Sequence, residues 1–378
     1  MNIAAMLALA TLSLNAAELT GSNNRVIAHE WGTFTSIAGD DGTPVQWAPL
    51  FGTPDLPCFV VHFGNDYLSK WQISGLVRME TPVLYFYSQR ALTLSVHVDF
   101  PRGLITEWYP PASKVTPAPP TVVGPIYRNG SIEWDAVSLL PRENLDFPST
   151  AGPSRYYAAR QTDSVPLRIG TQQEKLIFYR GVGSFSPPLR PRYRADGRLE
   201  IRNAGPEPIP RAIVFENQNG RIGYQLIRSI NDSITLDPIA LTADLDELRR
   251  ELTADLVEFG LYPKEASAMV ETWRDSWFEE GTRVLYIMPK GDVDSVLPLT
   301  ITPEPQGITR VFVGRAEVLS PAVKQMLQEA ADRGDSSSLQ MFGRFLDVYA
   351  KRLNLRGTVV QNALAHLARA NSPTACIQ

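Results

Sequence analysis

Residues 92–100 alternate strictly between apolar and polar side chains. Leu92, Leu94, Val96, Val98 and Phe100 take the even positions, and Thr93, Ser95, His97 and Asp99 the odd ones. A period of two is the signature of a strand with one buried face. Strand-like runs at 213–216 and 222–227 flank Asn219-Gly220, a pair that readily takes positive φ and so predicts a tight hairpin. Asp196-Gly197 sits in the same way between 192–194 and 199–202, and the runs 83–87 and 175–179 are aromatic-rich and strand-like. Pro-rich stretches at 116–120 and 205–210 exclude central strands there.

At Thr242 the rhythm changes. Leu241, Leu245, Leu248, Leu252, Leu256 and Phe259 recur at helical spacing, with Asp244, Asp246 and Glu247 in the first turn and Gly260 past the end. A second helix opens at Pro263, carries Met269, Val270, Trp273 and Trp277 on one stripe, and stops by Gly281. The spacing of Trp273 and Trp277 predicts core anchors. Strands are expected at 283–288 and 310–318; if they pair with the earlier strands, the two helices are an insertion. Helices close the chain, with Ser320-Pro321 as one cap and S/T-x-x-Q capping boxes expected at Ser337–Gln340 and Thr358–Gln361. The fold expected is a β-rich α+β one, with β-sandwich-like antiparallel sheets and a helical C-terminal part. The divisions expected are a leader-like segment at 1–17, a β-rich domain at 25–239 with a subdivision near 116–125, and a helical and mixed region at 240–378 packed on it.

Composition narrows the function classes. The 378 residues are 44% hydrophobic and 20% charged, as in globular proteins, and 30 Pro and 26 Gly suit many short strands joined by turns. Net charge is −4 with the two signs mixed, so nucleic acid has no basic patch to meet. Residues 3–14 form an apolar run followed by Asn15-Ala16-Ala17, which matches a secretory leader except that no Lys or Arg precedes it. The run is shorter than the roughly 20 residues a membrane span needs, and no later stretch qualifies, so no transmembrane anchor is expected after leader removal. Export leaves Cys58 and Cys376 two readings, a disulfide or one buried thiol and one loose thiol in the tail.

Four histidines are present. His29-Glu30-Trp31-Gly32-Thr33 begins like H-E-x-x-H, but Thr33 stands where the second histidine would be. On a strand, moreover, His29 and Glu30 point to opposite faces and cannot share an ion. A composite site remains a candidate: His29, His62 and His97 lie on separate β segments with Glu80, Asp99 and Glu107 near them in sequence, a donor set suited to zinc, copper or iron. Asp99, two residues from His97, is placed to orient its imidazole. Glu80 and Glu107 are also candidates for paired-carboxylate chemistry, Glu107 having Trp108 and Tyr109 beside it to raise its pKa and stack on a sugar. His366 reads as structural. No nucleophile elbow, P-loop or Ca²⁺ loop occurs.

Residues 27–36, from Ile27 through His29-Glu30-Trp31-Gly32-Thr33-Phe34-Thr35 to Ser36, resemble the opening of a group of exported bacterial proteins. Residues 100–110 and 276–284 resemble other stretches of the same group. The resemblance implies a periplasmic or extracellular location; with no activity attached to the group, it implies no residue roles. Together these readings favour a non-catalytic binding protein for an envelope component, a glycan or a protein. The rival is a metal-dependent enzyme or hydrolase using His29, His62, His97 and nearby carboxylates.

Overall fold

The computed structural model describes residues 26–50, 56–63, 73–118, 129–150 and 154–370. The leader-like segment, Cys376 and most of the 116–125 stretch lie outside them; Cys58 is exposed, not the buried thiol that one reading of the cysteines expected.

Three layers build the protein. The middle layer is a nine-stranded sheet. Its strands run, in spatial order, β14 (Arg221–Ile227), β13 (Ala212–Gln218), β16 (Gly281–Ile287), β18 (Gly307–Val318), β1 (Ile27–Ile37), β3 (Val77–Tyr87), β10 (Ile177–Gly183), β5 (Gly103–Tyr109) and β2 (Val61–His62). All neighbours are antiparallel except β1 and β18, which run parallel along their shared length. The outer β layer holds a six-stranded sheet built around β4 (Leu92–Phe100) and β7 (Gly130–Leu139) and a three-stranded sheet. Helices make the third layer: α1 (Leu245–Glu258), α2 (Pro263–Trp277), α3 (Lys290–Val296), α4 (Pro321–Asp332), α5 (Ser336–Gln340), α6 (Leu346–Arg352) and α7 (Thr358–Ala370).

The expected β-rich α+β class, with antiparallel sheets packed face to face and C-terminal helices, is what forms. Strand β4 alternates as its sequence dictates, with Leu94, Val96, Val98 and Phe100 buried and the residues between them partly exposed. Asn219 and Gly220 both take positive φ, 55° and 80°, and turn β13 into β14. Asp244 caps α1 by accepting from the Glu247 amide at 2.9 Å, and Ser320 caps α4. Two caps differ from expectation: α7 already includes Thr358, and the Gly357 carbonyl before it accepts from the Gln361 amide at 3.2 Å; the start of α5 is displaced as well. Asp335, two residues before Ser337, accepts from the Ser338 amide at 3.1 Å, so the helix starts at Ser336. Aspartate is as good a cap as serine, and its side chain also takes the Ser337 and Ser338 hydroxyls. Strands β16 and β18 come from the helical region yet sit in the middle layer, so position 240 marks a change of element type within one continuous sheet, with α1 and α2 inserted between strands.

Three apolar clusters hold the layers together. Phe34, Met79, Leu84 and Phe86 pack with Val96, Val98 and Trp134 between the β layers. On the opposite face Trp31, Val83, Tyr85 and Val311 pack under Leu252, Leu256, Met269 and Trp273 of α1 and α2. The closing helices bury Leu327, Leu346 and Val360 against Ile37 and Trp47. No helix among the described residues is long and apolar enough to cross a membrane.

Candidate functional site

Between the second and third clusters the helix-facing side of the sheet turns polar, at a level where four neighbouring strands lose their regular register. Trp31 pairs with Val83 but Thr33 with Glu80, so Gly32 alone faces both Thr81 and Pro82. The shift recurs from Phe178 to Gly181 of β10 against β3, and from Arg180 to Gly181 against β5. Such bulges re-aim side chains and concentrate near functional sites. Gly32 is required here: a Cβ would lie 2.7 Å from the Phe312 ring and 3.2 Å from the Pro82 Cα. Thr81 is held at φ +48°, an unfavourable conformation for a β-branched residue, worth about 1–3 kcal/mol.

The side chains gathered here are charged and buried. Glu80 receives two hydrogen bonds from Arg344, at 2.8 and 2.9 Å, the bidentate geometry in which guanidinium binds carboxylate best. Arg78 is 6% exposed and lies between two carboxylates, 3.9 Å from Glu107 and 4.0 Å from Glu80. Thr106 donates to Glu107, and Arg180 donates to the Thr81 hydroxyl at 3.1 Å. Alongside, Glu317 accepts from Arg283 at 2.9 Å and from Arg315 at 2.6 Å. Burial raises the pKa of a carboxyl. At Glu80 the charge and hydrogen bonds of Arg344, aided by Arg78 and Arg315, outweigh it and hold the carboxyl at about 2. At Glu317 burial is likewise outweighed, by Arg283 and Arg315, and the pKa is lowered. Burial, reinforced by Arg180 and Arg344, pulls the Arg78 guanidinium down, with Glu107 and Glu80 opposing. Among the described residues, Arg78 Nη1 and the hydroxyls of Thr33 and Thr35 are buried without a hydrogen-bond partner. Buried polar groups are normally satisfied, so these three mark a place for water or a ligand.

A cleft opens where the bulged strands meet α2 and a short 3₁₀ helix, Arg155–Arg160. Thr81, Phe178 and Arg180 of the strands line it together with Arg155, Tyr156 and Trp273. Near it, Arg160 is ringed by Phe59, Phe147, Tyr156 and Tyr157, its carbon Cζ 5.0–5.7 Å from the ring centres, and is hydrogen-bonded to buried Glu174. Burial pushes the Glu174 carboxyl up, against the pull of Arg160.

Of the residues singled out in the sequence, Glu80 and Glu107 meet here, both beside Arg78. His62 lies opposite Glu107 across the β2/β5 pair. The others lie apart. His29 projects toward α2, where its Nδ1 is 2.8 Å from Glu265, which also accepts from Tyr87 at 2.7 Å. Glu30 projects to the other side, accepting from Tyr179 and, at 2.6 Å, from Arg310. His97 and Asp99 belong to the outer sheet, where the half-exposed imidazole is 3.1 Å from Asp99 and 3.9 Å from Glu133. The expected composite of His29, His62 and His97 is therefore not assembled; the three sit on different faces and sheets. Among the described residues no three His, Cys, Asp or Glu side chains gather as metal ligands. Trp108 is packed between the β layers, on the side away from the helices, so it does not partner the Glu107 carboxyl as expected. Trp273 and Trp277 are core anchors, stacked at 6.2 Å.

Arg78, Arg180 and Arg344 were not predicted. Arg78 and Glu80 do carry a signal, two opposite charges flanking Met79 at strand spacing, but in an open strand that pattern reads as a solvated face. Only the helices that cover them, 180 or more residues later, make the face a buried one.

No family model and no curated protein matches the chain. Among solved structures, the Fcho1 mu homology domain of Danio rerio with bound Eps15 peptide is similar at 8% identity and TM-score 0.30, over 78% of this chain and 97% of that one. The yeast delta-COP-I mu-homology domain, complexed with a Dsl1 WxWxV peptide, is similar at 9% identity and TM-score 0.30, over 79% of this chain and 100% of that one. Likeness at that level carries no inference about what this chain does.

Proposed function

We propose that the protein is a non-catalytic binding protein that acts outside the cytoplasm and takes an envelope component, a glycan or a protein, at the cleft beside the arginine cluster. One observation carries this: Glu80, the best-buried candidate for acid–base chemistry, is clamped by Arg344 and kept ionised far below neutral pH. A general acid or base needs a pKa near the working pH; a fixed, fully paired carboxylate serves instead to hold arginines in place. Aromatic walls beside fixed donors suit recognition.

The test is to incubate the purified chain with soluble cell-wall fragments, acidic and neutral oligosaccharides and envelope proteins. Thermal denaturation reads binding, and mass spectrometry reads each component afterwards. A component present at 100 times its dissociation constant stabilises the fold by about 2.7 kcal/mol and is recovered unchanged. Recovery of any component in a cleaved or modified form overturns the proposal.

A further inference from the structure

The chemistry of the cleft lining also specifies what enters it. Arg155 and Arg180 both line the cleft, and no acidic residue is among its described lining residues. Trp273 lines it as well; the residue is 3% exposed, and its indole N–H has no acceptor among the described residues. An indole nitrogen only donates, so its missing partner is a hydrogen-bond acceptor. The enclosed space is small, about 10 Å³, enough for one group the size of a water molecule. A whole sugar ring or peptide does not fit; the oxygen end of a larger molecule does.

At the rim, Arg155 lies 3.2 Å from Asp275, and both side chains are well exposed, at 39% and 50%. Exposed pairs of this kind hold together weakly. An incoming oxyanion can therefore take the place of Asp275 on the guanidinium, in charge-assisted geometry that water-exposed Asp275 does not monopolise.

We infer that the cleft binds an oxyanion, a carboxylate or phosphate group carried by a larger envelope molecule, with Arg155 as the recognising cation at the mouth and the Trp273 indole N–H as the inner donor. The inference rests on the binding reading above and narrows its ligand to an anionic one. Asp275 acts as a stand-in anion that the ligand displaces.

Titration of the full chain with glucuronate, inorganic phosphate and glucose, followed by tryptophan fluorescence and calorimetry, tests it. Glucuronate or phosphate is expected to bind at least about tenfold more tightly than glucose, a difference of about 1.4 kcal/mol. Arg155→Gln weakens that binding about tenfold, Asp275→Asn strengthens it several-fold, and Trp273→Phe weakens it several-fold. The first two changes are at the surface and leave folding intact by circular dichroism. Binding by glucuronate alone supports a carboxylate ligand, and by phosphate alone a phosphoryl one. Glucose binding as tightly as glucuronate overturns this inference while leaving the binding reading standing. So does an affinity unmoved by both Arg155→Gln and Asp275→Asn. Absence of any binding by the two anions at millimolar concentration also overturns it. Chemical conversion of a ligand overturns the binding reading itself.

Discussion

On its sandwich side the nine-stranded sheet presents Phe34, Met79, Leu84 and Phe86 to the outer β layer, while on its helix side the same two strands carry Thr33, Thr35, Arg78 and Glu80. Both sets are buried. The first contributes through apolar area removed from water, roughly 25 cal/mol per Å². The second recovers, through pairing, the large cost of taking charges out of water, and pairs of this kind are weak contributors to net stability. The sandwich side also carries charge: Glu30 pairs with Arg310 and Tyr179, and Arg310 Nη2 is buried without a hydrogen-bond partner among the described residues. The helix side has a whole network, in which Arg78 Nη1 and two threonine hydroxyls have no hydrogen-bond partner among the described residues. The two faces differ in the extent of the charged network, and the cleft proposed above for binding lies on the side where that network is larger.

Single substitutions can break this comparison. The largest losses are expected when a group is removed without replacement on either side. Phe86→Ala leaves a cavity and costs about 3–5 kcal/mol. Arg283→Met also costs about 3–5 kcal/mol, because Glu317 loses a partner and the carbonyls of Trp277, Glu279 and Glu280 lose their donor. Urea midpoints at unchanged slope measure both. A loss under about 1 kcal/mol for Arg283→Met would mean that water reaches the network, and the two faces would then not differ as described.

Glu80 gives the next effect. Its folded pKa of about 2 lies below the ordinary 4.5, a gap worth about 3 kcal/mol. A lowered folded pKa contributes stability that is present above the unfolded pKa and vanishes as pH falls through the folded one. Stability should therefore drop between pH 4.5 and 2, with Glu317 adding to the same acid limb. Glu80→Gln should flatten that limb and lower stability at neutral pH by about 3 kcal/mol, read from urea midpoints at several pH values. His29→Leu is expected to cost about 1–3 kcal/mol, since the buried Glu265 carboxylate at the start of α2 loses the imidazole and keeps only the Tyr87 hydroxyl and the Tyr262 amide. Hydrogen exchange should show its effect first in that helix. His97→Ala, on the outer sheet, should shift stability by no more than about 0.5 kcal/mol, because its partners are half-exposed. A drop of several kcal/mol there would move attention from the helix side to the outer sheet.

Much of the fold was legible where chemistry is local. Leu92–Phe100 alternates because one face is buried and the other wet, and Asn219-Gly220 turns because both residues accept positive φ. The parallel pairing of β1 with β18 was not legible, since nothing in Ile27–Ile37 names a partner 280 residues away. The separation of His29 from Glu30 followed from strand geometry, and the structure has them on opposite faces. The gathering of Arg78, Arg180 and Arg344 did not follow from anything local, because burial of a charged strand face depends on which helix later covers it. Glu80 and Glu107 were within reach of sequence reasoning; the arginines that fix their role were not.

The placement of β1 has a consequence for how the molecule comes into being. One long side of this strand is completed only by β18, whose last residue is Val318. Until the ribosome has emitted most of the chain, that side keeps an unpaired row of amides and carbonyls, an invitation to other unfinished copies. Closing so wide a loop is slow, and nascent chains in that interval are the ones most prone to clump. Cells making the protein would have to shelter it through that wait.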